Sequence, residues 1–206
     1  HKKMKQLILL FTSLLPLLIV NAQRDIFITW DRTIRNSNGN WAESIQQTYD
    51  SGYIVAGYTL SDGIDFWIVK LDKNGNKTWD KTLGGTNSDE AHSIQQTTDN
   101  GYIVAGYTAS NDGDVSDENN GSRDFWIVKL DENGNKTWDK TLGGTNSDEA
   151  HSIQQTTNGG YIVAGGTESN DGDITDGNNG WSDFWIVKLD KNGNKTWHKT
   201  LGGSFN

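Results

Sequence analysis

Apolar and polar positions along the chain fall into two alternating kinds of short segment. "DFWIVKLD" occurs at 65–72, 124–131 and 183–190, with a continuous apolar run that suits a strand covered on both faces. "KTWDKTL" at 136–142 instead alternates, placing Trp138, Lys140 and Leu142 on one side and Thr137, Asp139 and Thr141 on the other. That pattern suits an outermost strand whose charges discourage edge pairing. "SIQQT", beginning at Ser44, Ser93 and Ser152, is polar apart from its isoleucine and reads as an innermost strand lining a wet channel. "YIVAG", beginning at Tyr53, Tyr102 and Tyr161, supplies a fourth strand-like segment per unit.

Turn residues connect these segments. "DNG" at 99–101 predicts a tight turn with Gly101 at positive φ, and "DENGN" at 131–135 predicts a second with Gly134 in that role. Short hairpins enforce antiparallel neighbours, so each unit is expected to be a four-stranded meander. Trp30 to Trp79 spans 49 residues, and the next two intervals, to Trp138 and to Trp197, span 59 each. Repetition at this period, with strands graded from polar to apolar to alternating, predicts an all-β fold of propeller blades. The expected layout is a lead-in at 23–41 carrying one outer strand near 27–34, then blades at 42–90, 91–149 and 150–206. The reading favoured is an arc of a longer propeller; a three-blade unit, closure by dimerisation and an open solenoid remain alternatives. Trp67, Trp79, Trp126, Trp138, Trp185 and Trp197 are expected in the core, at about 1.5–3 kcal/mol for each large apolar side chain buried.

Composition adds three points. The N-terminal stretch has Lys2, Lys3 and Lys5 before the apolar run Leu7–Val20, whose 14 residues are short for a membrane span. Residues 1–22 therefore read as a cleaved secretory signal, with no membrane insertion afterwards. Its removal leaves 15 basic against 27 acidic residues, a surface that repels nucleic acid and anionic lipid. The chain has no cysteine, so packing rather than disulfides must hold an exported fold together.

These repeats resemble units of the form "GYIVAGYT…DFWIVKLD.NGN..W.KTLGG", found in large secreted or surface proteins of Bacteroidetes and of some archaea. The resemblance covers residues 29–206. It implies a propeller at the cell surface, and in Bacteroidetes such proteins often end in a type IX secretion sorting domain. "KLDKNGNKTW" at 70–79 also looks like the turn of quinoprotein-type blades, one residue shorter between Asp72 and the glycine. That likeness bears on the fold and implies no cofactor.

Candidate chemistry gathers on one face, because the loops after the second and fourth strands of a meander emerge together. Ser110–Asp124, "SNDGDVSDENNGSRD", and its near-copy at Ser169–Asp183 offer closely spaced hard oxygens: Asp112, Asp114 and Asp117, then Asp171, Asp173 and Asp176. Calcium is the cofactor such a loop suggests. An EF-hand fails, since counting from Asp112 puts Asp117 where glycine belongs and Arg123 where the bidentate glutamate belongs. The competing expectation is a solvated turn, dispensable to the fold because the first copy holds only "SDGID" at 61–65. "SDEAHS" places Asp89, Glu90 and His92 together, and Asp148, Glu149 and His151 after them, on the expected ligand face. Asn40, Trp41 and Glu43 break that set in the first copy. No nucleophile–histidine–acid set stands out, and every candidate is copied from unit to unit, which suits a scaffold rather than a catalyst. The function expected is a non-catalytic exported module that binds glycans or other surface proteins. An enzyme with catalytic groups in other blades, or a structural spacer, are the alternatives.

Overall fold

The computed structural model describes residues 31–34, 39–61 and 63–204. Residues 1–22, read as a signal, lie outside them, as do positions 27–30 of the expected lead-in strand; residues 31–34 are described and are not strand.

Twelve strands form three four-stranded antiparallel sheets, each a meander. The first is β1 (Asn40–Gln47), β2 (Tyr53–Thr59), β3 (Asp65–Leu71) and β4 (Lys77–Leu83). The second is β5 (Asp89–Gln96), β6 (Tyr102–Thr108), β7 (Asp124–Leu130) and β8 (Lys136–Leu142). The third is β9 (Asp148–Gln155), β10 (Tyr161–Thr167), β11 (Asp183–Leu189) and β12 (Lys195–Leu201). Among the described residues there is no helix, and the three sheets are blades of a partial β-propeller.

The innermost strands are tied to one another by side chains. Ser44 Oγ accepts from Ile94 N at 3.2 Å, and Gln46 Oε1 accepts from Gln96 N at 2.6 Å. One blade on, Ser93 Oγ accepts from Ile153 N and Gln95 Oε1 from Gln155 N at the same distances. The polar "SIQQT" segments thus satisfy backbone donors of the next blade, a use the expected channel lining did not foresee.

Apolar faces close the rest of each junction. Trp126 and Trp185 are fully buried, and Phe66 meets Trp126 at 4.5 Å between ring centroids, as Phe125 meets Trp185 at 4.6 Å. Trp67 is buried in blade 1, while Trp79 and Trp138 pack at the margins of the two inter-blade cores. Trp197 departs from the expected core, being 49% exposed, because no further blade covers it among the described residues.

Two local expectations also change. Positive φ in the first hairpin falls on Asn100 (66°), not Gly101. Gly101 is needed because a Cβ there would stand 2.3 Å from the Leu130 carbonyl oxygen. Gly134 does take positive φ, at 78°. The acidic loop is not a loose turn: Val115 and Ile174 are buried in the inter-blade cores, and Ser110 and Ser169 are fully buried. Ser116 N donates to Asp139 and Thr141 Oγ1 to the Glu118 carbonyl, so the loop straps its own outer strand. This covering explains why Asp139 is buried although it alternates with apolar positions.

Candidate functional site

The inner strands β5 and β9 begin four residues before their "SIQQT" segments, at Asp89 and Asp148, and β5 carries a register shift just after Ala91. Alternation then divides the predicted ligand-face residues into two sets. Asp89 and Asp148 point into the protein and are fully buried, which removes them from the exposed face. Asp89 Oδ2 accepts from Gly85 N at 2.8 Å and Ser110 Oγ at 3.0 Å; Asp148 repeats this with Gly144 N and Ser169 Oγ. Burial pushes both carboxyls above their usual range.

Glu90, His92, Glu149 and His151 lie on the other side of these strands and come together across the junction of blades 2 and 3. The rings of His92 and His151 stack at 5.2 Å, 15° apart. His92 Nδ1 lies 2.9 Å from the Ala150 carbonyl oxygen, so it donates there and leaves Nε2 as the basic nitrogen of the neutral ring. That nitrogen stands 3.9 Å from Glu90 Oε2. Burial, and secondarily His92, holds the His151 pKa below its usual value.

Two further residues complete the cluster. Tyr107 donates its hydroxyl to Glu90 Oε1 at 2.6 Å, and Arg123 lies over the Tyr107 ring at 4.4 Å. Arg123 also pairs with Glu149 of the following blade. Burial and the Glu90 hydrogen bond push the Tyr107 hydroxyl above its ordinary range, and the Glu149 contact raises the Arg123 guanidinium further. Sequence reasoning missed both, although the repeat carries the signal: Arg123 stands where the other copies have Ile64 and Ser182, and Tyr107 where blade 3 has Gly166. In blade 1 Trp41 instead stacks on Tyr58 at 5.2 Å. The cluster therefore belongs to one junction and is not copied around the fold.

The cluster presents two carboxylates, a guanidinium on an aromatic face and a histidine pair. Such a surface can hydrogen-bond hydroxyl-rich or charged groups and stack on a ring. Among the described residues, no group of three or more His, Cys, Asp or Glu is arranged to hold a metal ion.

In the acidic loops the carboxylates are turned to separate partners. Asp112 accepts from Thr86 N at 2.7 Å, Asp114 from Gly84 N at 3.3 Å, and Asp117 pairs with Lys140 at 3.0 Å. In the copy, Asp171 accepts from Thr145 N at 2.8 Å, Asp173 pairs with Lys195, and Asp176 meets Lys199 at 3.1 Å and His198 at 3.2 Å. Each loop thus fastens the connection arriving from the previous blade.

No family model matches the chain, and no curated protein matches it. Among solved structures, a crystal structure of a protein of unknown function from Bacteroides caccae is 13% identical and covers 82% of this chain and 70% of that one. Its TM-score is 0.31, a likeness too slight to carry an argument.

Proposed function

We propose that the chain is a module of an exported, surface-displayed β-propeller that binds a glycan at the junction of blades 2 and 3, without chemistry of its own. The observation that carries this reading is the cluster of Glu90, His92, Tyr107, Arg123, Glu149 and His151, which breaks the repeat at a single junction. A scaffold residue has no reason to differ between otherwise near-identical copies, whereas a binding site does. Carboxylates and a guanidinium match sugar hydroxyls as acceptors and donors, and the exposed His151 ring, stacked on His92, can pack against a pyranose. Glu90 and Glu149 are each already engaged, by Tyr107 and Arg123, which suits holding a ligand more than moving protons. Export is supported by the charged and apolar pattern of residues 1–22. The acidic balance of the remaining chain argues for partners other than nucleic acid.

A glycan-array screen of the purified chain tests this directly. We expect binding to a defined set of glycans, and a loss of at least about tenfold in Arg123→Ser, which installs the blade 3 residue at an exposed site. Absence of any glycan binding, or unchanged binding by Arg123→Ser, would overturn the reading. Retention of a surface protein instead of a glycan would redirect the ligand class while keeping the site.

A further inference from the structure

The short hairpins of each meander gather on the face opposite the acidic loops. Between blades 2 and 3 they leave a groove of about 640 Å³, a size that suits a small ligand. Its wall is an aromatic pair: Trp138 on β8 meets Tyr161, at the start of β10, edge to face at 5.8 Å. Tyr161 is 2% exposed, yet its hydroxyl has no hydrogen-bond partner among the described residues. A hydroxyl so placed forfeits a hydrogen bond unless something entering the groove supplies one. Burial first, and then the charge of Asp99, push this hydroxyl up to about 12, so it stays a donor at neutral pH.

Gln155 adds a second donor. Its Oε1 accepts from Thr98 N at 2.9 Å, and its amide nitrogen has no partner among the described residues. The charged groups of the groove largely serve one another. Lys129 is buried, and its ammonium meets Asp99 and the Leu130 carbonyl, each at 3.0 Å. Asp131 accepts from Asn133 N and Asn135 N of its own turn, while Glu132 and Lys191 bring one charge of each sign. The groove therefore offers free donors and acceptors rather than a field of one sign.

The repeat changes at this place. Thr98 stands where the junction of blades 1 and 2 has Tyr49, Gly159 where it has Asn100, and Glu132 where it has Lys73. The first two changes are to smaller residues. A Cβ on Gly159 would meet nothing within 4 Å, so the space beside this turn is open.

We propose that this groove is a second binding site, for a neutral hydroxyl-rich ring such as a hexopyranose unit. The Tyr161 hydroxyl and the Gln155 amide donate to ring hydroxyls, the Glu132 carboxylate accepts from them, and Trp138 gives the C–H edge an apolar wall. A ligand of single charge would meet either Glu132 or Lys191 as a like charge, which selects against it. The groove shares no residue with the cluster of Glu90, His92, Tyr107, Arg123, Glu149 and His151, and it does not depend on what that cluster binds.

Proton–nitrogen NMR of the purified chain, titrated with cellobiose, maltose, lactose and chitobiose at millimolar concentration, tests the proposal. At least one disaccharide is expected to shift the Trp138 indole N–H and the Gln155 side-chain amide in a saturable way. Thr98→Tyr and Gly159→Asn install the residues of the other junction and should weaken that binding at least about tenfold. Both should keep the fold, since Thr98 is exposed and Asn100 already holds a φ of 66° in the equivalent turn. Tyr161→Phe removes only the hydroxyl and should weaken binding about fivefold. Arg123→Ser should leave the shifts unchanged, which separates the groove from the cluster on the opposite face. Failure of all the disaccharides to move either signal would overturn the proposal, as would shifts that persist in both Thr98→Tyr and Gly159→Asn. Loss of the shifts in Arg123→Ser would assign them to the other site and overturn it as well. So would a saturable response to glycine betaine or free lysine and to none of the sugars.

Discussion

Replacing Asp124 with asparagine should make the protein more stable above neutral pH and change it little in mild acid. Asp124 opens β7 and is fully buried. Its Oδ2 accepts from Asn120 N at 2.8 Å, while its Oδ1 has no hydrogen-bond partner among the described residues. Gly143 comes so near that a Cβ there would lie 2.4 Å from Asp124 Oδ1 and 2.8 Å from Asp148 Oδ2. The two carboxyls therefore crowd one place. Burial first, then the charges of Asp148, Asp173 and Asp171, push the Asp124 pKa up from 3.8 to about 7. A raised carboxyl pKa means that the folded protein keeps a proton which the unfolded chain has released. Its contribution to stability is then present at acid pH and is lost as pH rises from the unfolded value through about 7. At about 1.4 kcal/mol per unit, the full span corresponds to roughly 4 kcal/mol, an upper bound given that Asp148 shares the site. Asparagine carries no charge at any pH and escapes this loss. Urea unfolding of both proteins between pH 5 and pH 8 measures the difference. His151, whose pKa is lowered, works in the opposite direction by losing stability as pH falls, and Asp50 and Asp176, held at about 2, act only in stronger acid. These groups are common to both proteins and cancel in the comparison. From pH 5 to pH 8 only about two of those units are crossed, so we expect the variant to gain at most about 2–3 kcal/mol on the wild type over that range. A difference independent of pH, or one that shrinks as pH rises, would refute the argument.

Trp126→Ala should cost about 3–5 kcal/mol in chemical unfolding, whereas Trp197→Ala, at a half-exposed site, should cost less than about 1 kcal/mol. Equal losses would contradict the assignment of the inter-blade core. Gln95→Ala removes the acceptor for Gln155 N and should destabilise by about 1–3 kcal/mol, with faster amide exchange at Gln155 as its local signature. Millimolar calcium should leave the melting temperature where chelator leaves it, because the loop aspartates already serve Thr86, Gly84 and Lys140; a rise of several degrees would show that they can be recruited to a metal.

Much of the architecture was legible because its signals are local. Continuous apolar runs, alternating runs and Asn-Gly or Asp-Gly turns each depend on a few consecutive residues, and together they specify a four-stranded meander three times over. The site was legible only in part. Glu90, His92, Glu149 and His151 could be singled out as a recurring polar group, but the same motif also contains Asp89 and Asp148, which turn the other way. Tyr107 and Arg123 join the cluster through contacts with Glu90 and with Glu149, 26 residues along the chain from Arg123, and no local pattern announces such a contact. The partners of the acidic loop were hidden for a related reason. Its aspartates look like ligands in a row, yet each finds a donor or cation on another element, and Val115 and Ile174 anchor it in the core.

The sequence by itself determined the strands, their hairpin order and the identity of the repeat, since these follow from backbone sterics and side-chain alternation within short windows. Tertiary structure alone decided what each copy of the repeat is for. Phe125 and Phe184 sit in the same "DFWIVKL" segment, and one is fully buried while the other is 73% exposed. Identical segments share propensity and turn chemistry, but burial belongs to the neighbour that covers them. Among the described residues that neighbour is present at two faces, and an open groove lies at the third.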